Sequence, residues 1–247
     1  MSSIAAILLD IEGTTTPITF VTRVLFPYAR QHLRAYLEQH AGSPDHESLV
    51  ARLRDEHASA SRECDDVPAW AVATFVEWLM EHDSKSTALK DLQGRIWEIG
   101  YQRGELVGEV FADVPRALER WHEDGLAVGI FSSGSVLAQQ LLFRHSSYGD
   151  LTPLIGSYFD TRIGAKADAE SYRRIARELE LPAHEVLFLS DVVRELDAAR
   201  AADMQVRLVI RPGNPPVAET HRYEHIESFA DVRSILDPSA LNLEPGE

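Results

Sequence analysis

Cysteine is nearly absent from this chain: Cys64 is the only one among 247 residues. A single thiol cannot form an intrachain disulfide, and such scarcity is typical of a reducing compartment. Long hydrophobic runs are also missing, since the first apolar stretch covers only residues 4–9, whereas a membrane-spanning helix needs about 20 residues. No positively charged leader with a cleavage site precedes that stretch. We therefore expect a cytoplasmic protein with no membrane partner.

Positive charge is scarce as well. The chain has 24 Lys and Arg against 39 Asp and Glu, which gives a formal net charge of -15. Such a field repels phosphates, so we expect no nucleic-acid partner. An anionic substrate would need a bound cation and local hydrogen-bond donors. Because the sequence contains no heptad repeat, nothing in it argues for more than a monomer.

Short apolar runs alternate with helix-sized segments over most of the chain. This alternation predicts an α/β fold in which a Rossmann-like parallel sheet is covered by helices on both faces. The last predicted strand is the run at 206–210. The predicted strands are residues 4–9, 126–131, 158–160, 186–189 and 206–210, and the predicted helices between them are 115–124, 136–143, 170–179 and 195–202.

One long stretch breaks this alternation. Helical periodicity runs through residues 20–39, 46–62, 69–80 and 89–106, and we find no strand pattern among them. The sequence therefore predicts an all-helical cap at residues 17–105, inserted into an α/β catalytic core formed by residues 1–16 and 106–247.

Polar residues follow three of the predicted strands: Asp10, Ser132 and Asp191. Ligands of parallel α/β sheets bind at the carboxyl ends of the strands, so these side chains should meet in one site. Glu12 would project to the same side as Asp10 if the chain stays extended. Lys166 adds a positive charge that can hold a phosphoryl group.

These residue types suit phosphoryl transfer. The carboxylates of Asp10 and Asp191 are ligands that magnesium prefers, and the turn at Ser132 and Ser133 offers hydroxyl and amide donors. Asp10 could attack phosphorus to form an aspartyl-phosphate, with Glu12 as general acid and base.

Each residue alone also has an ordinary structural interpretation. Lys166 would be a solvated surface lysine in most proteins, and Ser132 or Ser135 would cap the next helix. Glu195, four residues after Asp191, would support a metal indirectly if both lie on one helical face. The agreement of residue type, order and position favours a common site over these separate interpretations.

The chain resembles the haloacid dehalogenase superfamily. The four motifs that carry the resemblance are DIEGT at Asp10, VGIFSSGS ending in the serine turn, Lys166, and SDVVRE around Asp191. Glutamate at Glu12, where aspartate is usual, together with GAKADAESY, is similar to the enolase-phosphatases of methionine salvage. Phe131 departs from the tyrosine expected in many of these relatives.

The resemblance implies a helical cap and a specific reaction. Its substrate would be 2,3-diketo-5-methylthiopentyl-1-phosphate, which is enolised and then dephosphorylated to the acireductone. One magnesium ion per subunit would serve as cofactor. The implied roles are a nucleophile and metal ligand at Asp10, an acid/base and carbonyl metal ligand at Glu12, a metal ligand at Asp191, and phosphate binding at Ser132, Ser133 and Lys166.

Two alternatives stay open at this stage. A magnesium-dependent phosphatase acting on another small phosphate ester would show the same motifs, because function depends on the site and not on the fold. A receiver-type signalling domain also phosphorylates an aspartate beside magnesium. A receiver, however, needs no insertion of this length after its first strand.

Overall fold

The computed structural model describes residues 4–82, 84–216 and 223–232. The chain divides into two compact units, one formed by Met1–Phe20 with Val107–Glu247 and the other by Val21–Leu106. The helical unit therefore begins four residues later, and ends one residue later, than the cap expected from the sequence. Residues 1–3, 217–222 and 233–247 of the expected core, and residue 83 of the expected cap, lie outside the described residues.

The first unit contains a sheet whose strands all pair in parallel. In chain order the strands are β1 Ala6–Leu9, β2 Ala127–Phe131, β3 Ser157–Phe159, β4 Val186–Ser190, β5 Gln205–Val209 and β6 His225–Ile226. Their order across the sheet is β3-β2-β1-β4-β5-β6, which confirms the predicted α/β fold. The expectation that the strand at 206–210 is the last one is wrong, because β6 follows it. A strand of two residues carries no periodic pattern that a sequence reading could detect.

The helices agree closely with the sequence periodicity. They are α1 Ile18–Phe20, α2 Phe26–His40, α3 Pro44–Glu63, α4 Val72–Glu81, α5 Thr87–Gln102, α6 Val114–Glu123, α7 Val136–Arg144, α8 Ala169–Glu178 and α9 Val193–Ala201. Among the helices in the described part of the chain, none combines the length and the apolar character of a membrane span.

The second unit is built from α2 to α5, and its described residues contain no strand. A single π-helical turn, Val21–Leu25, leads into α2. The indole Nε1 of Trp97 in α5 donates to the carbonyl oxygen of Leu25 at 2.8 Å, which satisfies a polar group inside this small core. Ser86 starts α5 by accepting a hydrogen bond from the amide of Leu89 at 2.9 Å.

The central strands of the sheet share one register. Leu9 of β1 lies beside Ile130 of β2 on one side and Leu189 of β4 on the other. Every residue of β1 is fully buried, as is typical of a strand covered on both faces. Because these strands run in the same direction, the residues that follow them lie at one edge of the sheet.

Candidate active site

The carboxyl ends of the three central strands carry the polar residues found in the sequence. Asp10 follows β1, Ser132 follows β2 and Asp191 follows β4. Since β1 lies between β2 and β4, the three positions are neighbours at the sheet edge where α/β proteins bind ligands.

The chain turns sharply directly after β1, in residues 10–16, which we call the Asp10 loop. The carbonyl oxygen of Ile11 accepts hydrogen bonds from three successive amides, those of Thr14, Thr15 and Thr16, at 3.1, 2.9 and 2.9 Å. Gly13 has a φ of +73°, a left-handed conformation that glycine adopts without steric cost. A Cβ at this position would overlap Oδ2 of Asp191. Glycine therefore permits both the turn and the close approach of Asp191.

The turn separates the environments of the two acids in the loop. Asp10 is buried, with 4% of its surface exposed, whereas Glu12 is exposed. The strand ends at Leu9, so the extended backbone that would place both side chains on one side does not continue to Glu12. The position of Glu12 is set by the turn and not by the pleat of the strand.

Lys166 is buried between two carboxylates. Its Nζ lies 2.5 Å from Oδ1 of Asp10 and 2.7 Å from Oε2 of Glu195. Burial by itself would lower the pKa of Lys166, but the charges of the two carboxylates outweigh it and raise the pKa, so the side chain is an ammonium ion. The interpretation of Lys166 as a solvated surface lysine is therefore wrong.

The loop that carries Lys166 is held by α8. Tyr172 in this helix is fully buried, with its ring 5.5 Å from that of Phe131 and 5.1 Å from that of Phe188. Its hydroxyl donates to the carbonyl oxygen of Lys166 at 2.8 Å, which satisfies the one polar group of an otherwise apolar anchor. The packing of α8 on the sheet thus determines where the ammonium lies.

Glu195 contacts the lysine. In addition to its ion pair with Lys166, its Oε2 accepts a hydrogen bond from the hydroxyl of Ser190 at 3.1 Å. The same hydroxyl lies 3.5 Å from Oδ2 of Asp10. Burial, and then the charge of Asp10, raises the pKa of Glu195 above its ordinary value. Glu195 thereby belongs to the charge network around Asp10.

The two carboxylate oxygens of Asp191 differ in their hydrogen bonding. Its amide donates to Oγ1 of Thr14 at 3.1 Å, and its Oδ2 accepts from Nδ2 of Asn214 at 3.2 Å. The other oxygen, Oδ1, is buried and has no hydrogen-bond partner among the described residues. Burial, followed by the charges of Asp10 and Glu195, raises the pKa of Asp191 to about 7.

The site therefore has an excess of negative charge. Among the described residues, the ammonium of Lys166 pairs with Asp10 and Glu195, and its charge also acts on the third carboxylate, that of Asp191. This excess and the unpaired Oδ1 of Asp191 both fit a divalent cation. Within the described ranges, no group of three or more Asp, Glu, His or Cys side chains is placed so that it could hold a metal ion, so a cation here would bind fewer than three of them. That donor set suits magnesium, which is usually bound through one or two carboxylates and keeps several waters.

The serines that follow β2 differ in burial and in hydrogen bonding. Oγ of Ser132, which is buried, accepts a hydrogen bond from the amide of Gly134 at 3.2 Å, whereas Ser133 is exposed. Ser135 caps α7 by accepting from the amide of Ala138 at 3.3 Å. Of the two serines considered as helix caps, only Ser135 has this role.

Known proteins are similar to this chain over most of its length. The family model described as haloacid dehalogenase-like hydrolase matches residues 4–203. The chain belongs to the haloacid dehalogenase-like hydrolases. The motif resemblance that we drew from the sequence is thereby confirmed, and the enzyme class is that of a hydrolase.

Relatives within this hydrolase family carry a more specific name. The chain is 48% identical to enolase-phosphatase E1 of Synechococcus elongatus over 236 residues, covering 93% of this chain and 98% of that protein. It is 44% identical to enolase-phosphatase E1 of Drosophila grimshawi over 240 residues, covering 95% and 98%. Among solved structures, the UTR4 protein of Saccharomyces cerevisiae has a TM-score of 0.75 at 34% identity, covering 91% of this chain and 98% of that one. The similarity to enolase-phosphatases is thus confirmed.

Several contacts in this hydrolase site were missed by the sequence analysis. Thr14 and Ser190 lie within the motifs DIEGT and SDVVRE, but the motifs did not indicate which groups they bind. Asn214 lies about 200 positions from Gly13, whose carbonyl oxygen it binds at 2.9 Å. No periodicity or spacing in the sequence connects these two residues.

Arg211 binds the backbone of the Asp10 loop. Its Nε donates to the carbonyl oxygen of Thr14 at 3.1 Å, and its Nη1 lies 2.8 Å from Oδ2 of Asp113. The guanidinium is also 4.6 Å from the ring centres of both Phe111 and Phe229. The carboxylate of Asp113 therefore does not cap α6, the helix that Asp113 precedes.

Proposed function

We propose that this chain is an enolase-phosphatase of methionine salvage. It would enolise 2,3-diketo-5-methylthiopentyl-1-phosphate and then dephosphorylate the product to the acireductone 1,2-dihydroxy-3-keto-5-methylthiopentene. The observation that carries the proposal is the identity of 44% to 48% with proteins named enolase-phosphatase E1 over nearly the whole chain. The buried Asp10–Lys166 pair supports the phosphatase half of the reaction.

In the dephosphorylation, Asp10 is the proposed nucleophile. A carboxylate oxygen of Asp10 forms a bond to phosphorus while the bond between phosphorus and the ester oxygen breaks, which leaves an aspartyl-phosphate. Lys166 orients Asp10, since its ammonium lies 2.5 Å from Oδ1. Attack of water on phosphorus then releases phosphate and restores the carboxylate.

Glu12 is the proposed acid and base of these two steps. Its carboxyl group gives a proton to the departing ester oxygen and afterwards takes one from the attacking water. Its exposure is compatible with this role, because a group that exchanges protons with substrate and water must be reachable from solvent.

Hydrogen-bond donors around the nucleophile are the proposed phosphate-binding groups. We assign it to Ser132 and Ser133, at the end of β2, and to the ammonium of Lys166. These groups would contact the non-transferring oxygens of the phosphoryl group, where negative charge accumulates in the transition state.

Hydrolases of this family generally depend on magnesium, and we propose one ion per subunit. The carboxylates of Asp10 and Asp191 and the carbonyl oxygen of Glu12 would hold it, which gives the unpaired Oδ1 of Asp191 a partner. When bound, the ion neutralises charge on the phosphoryl group. We further propose that the helical unit Val21–Leu106 is the cap of the family, since it is inserted between β1 and β2.

The test uses the diketo phosphate under anaerobic conditions, with enol absorbance and free phosphate followed in the same sample. Wild-type protein should give an enol signal and then phosphate, and chelation of magnesium should abolish phosphate release. Asp10→Asn should lose phosphate release by several orders of magnitude. Asp150→Asn is the control, because Asp150 is exposed and its carboxylate accepts hydrogen bonds from Thr152 in a surface turn.

The outcome separates the alternatives. Phosphate released without an enol product would indicate a phosphatase of another small phosphate ester. Substantial turnover by Asp10→Asn would contradict the nucleophile assignment. A receiver domain would retain its phosphoryl group without releasing product, whereas the match to a hydrolase family favours turnover.

A further inference from the structure

The loop after β5 reaches back to the Asp10 loop through two side chains. Arg211 binds the carbonyl oxygen of Thr14 at 3.1 Å, and Asn214 binds that of Gly13 at 2.9 Å. The backbone N–H of Asn214 also donates to the carbonyl oxygen of Arg211 at 3.1 Å, which closes a turn between the two residues. Consecutive carbonyls of the Asp10 loop are therefore both held by one short segment.

Asn214 has a second partner. Its Nδ2 donates to Oδ2 of Asp191 at 3.2 Å as well as to the carbonyl oxygen of Gly13. Both partners are acceptors, so the amide must present its nitrogen to them, and its two hydrogens serve one acceptor each. This arrangement connects the Asp10 loop to the carboxylate that follows β4.

The two oxygens of Asp191 consequently differ. Oδ2 is hydrogen-bonded to Asn214, whereas Oδ1 is buried and unpaired within the described residues. A Cβ at Gly13 would lie 3.0 Å from Nδ2 of Asn214 and would overlap Oδ2 of Asp191, so the three groups meet in a space that only glycine leaves open. The rotation of the Asp191 carboxylate is thereby restricted.

We propose that Asn214 is a positioning residue that fixes the rotation of the Asp191 carboxylate, so that Oδ1 is the oxygen presented to magnesium. This inference rests on the proposed function, in which Asp191 is a metal ligand. A neutral donor suits the task. A lysine or arginine here would cancel charge that attracts the cation, and an aspartate would place a carboxylate against a carbonyl and a second carboxylate.

The test measures magnesium binding by isothermal titration calorimetry, in the full chain freed of metal and without substrate. Asn214→Ala should weaken magnesium binding by roughly 10- to 100-fold, the usual effect of removing a partner of a metal ligand. Asn214→Leu keeps most of the side-chain volume but has no donor, so it should show the same loss. Saturating magnesium should restore most of the turnover of both variants.

Gln205→Ala is the matched control. This residue lies at the opposite end of β5, where its Nε2 donates to the carbonyl oxygen of His184 at 3.1 Å, so the variant also loses one carboxamide-to-carbonyl bond. Its magnesium affinity should equal that of wild type. Urea unfolding in EDTA gives the stability of each variant separately, so a loss of fold is not mistaken for a loss of binding.

The outcomes distinguish this inference from the function on which it rests. If Asn214→Ala or Asn214→Leu binds magnesium as tightly as wild type, the positioning role is wrong. If Asp191→Asn loses magnesium binding in that same case, the proposed metal site stands and only the role of Asn214 fails. If Asp191→Asn binds magnesium normally, the ligand assignment itself is wrong, and the inference fails with it.

Discussion

Replacing Lys166 by methionine removes the only ammonium that the described structure places among the site carboxylates. Methionine keeps a similar length and an apolar stem, so the variant changes charge more than volume. Nζ lies 2.5 Å from Oδ1 of Asp10 and 2.7 Å from Oε2 of Glu195, and the side chain is only 9% exposed. Two buried carboxylates would lose their cation at once.

The expected cost follows from this geometry. Removing one partner of a buried ion pair typically destabilises a protein by about 3–5 kcal/mol, because the remaining charge stays desolvated. Ser190 still donates to Glu195 at 3.1 Å, which limits the loss at that acid. We therefore expect Lys166→Met to lower the free energy of unfolding by about 3–4 kcal/mol in metal-free protein.

A second substitution tests whether the stability loss of Lys166→Met comes from unpaired charge or from lost packing. Glu195→Gln removes one of the two acids that Lys166 neutralises, and its amide can still accept a hydrogen bond from Ser190. The double variant should therefore lose less stability than the sum of the single variants, by about 1–3 kcal/mol, since fewer unpaired charges remain.

The assay is urea unfolding at neutral pH in EDTA, followed by circular dichroism and tryptophan fluorescence. Lys85→Met is the control, because Lys85 is exposed in the helical unit and its replacement should change stability by less than about 0.5 kcal/mol. The reasoning is refuted if Lys166→Met costs less than about 1 kcal/mol, or if the two substitutions are additive.

Two further predictions concern the segments that support the site. Burial raises the pKa of Asp113, but Arg211, the amide of Phe229 and the hydroxyl of Ser228 outweigh this and hold it below its ordinary range. A lowered pKa stabilises the fold above the unfolded value of about 4, and that stability is lost as the pH falls through the folded pKa. Asp113→Asn should therefore cost about 1.5–3 kcal/mol at neutral pH, and the gap to wild type should close in acid. Urea midpoints measured across this pH range would contradict the prediction if the gap stayed constant. Gly13→Ala should cost about 1–2 kcal/mol of backbone strain and also weaken magnesium binding. Gly42→Ala is its control, since Gly42 has a φ of +82° with open space around it, so equal magnesium affinities in the two variants would refute the overlap with Asp191.

Local patterns in the sequence were sufficient for much of the fold. The run before Asp10 is apolar throughout, which is the pattern of a strand buried on both faces, and β1 is indeed fully buried. Helical periodicity indicated α2 to α5 without a strand between them. Residues that follow parallel strands must share one edge, so the placement of Asp10, Ser132 and Asp191 at the same edge of the sheet followed from the predicted fold.

The partners within the site depended on tertiary structure. Glu195 lies in the helix that begins just after Asp191, and helical spacing suggested that it supports a metal indirectly. The spacing did not indicate the ion pair that its carboxylate forms with Lys166. The direction of a side chain depends on which charge lies within reach, and Lys166 is brought there by a loop anchored through Tyr172. Spacing along one helix carries no information about that loop.

The sequence by itself determined the order of strands and helices, the helical insertion and the residues at the strand ends, because hydrophobic period and motif spacing are local properties. The tertiary structure decided how those residues are held. Arg211 and Asn214 bind consecutive carbonyls of the Asp10 loop from about 200 positions away. Asn214 also binds one oxygen of Asp191, while the other has no partner in the described part of the chain. Such contacts arise only when β5 is placed beside β4, since hydrogen bonds depend on distance and angle in space and not on separation along the chain.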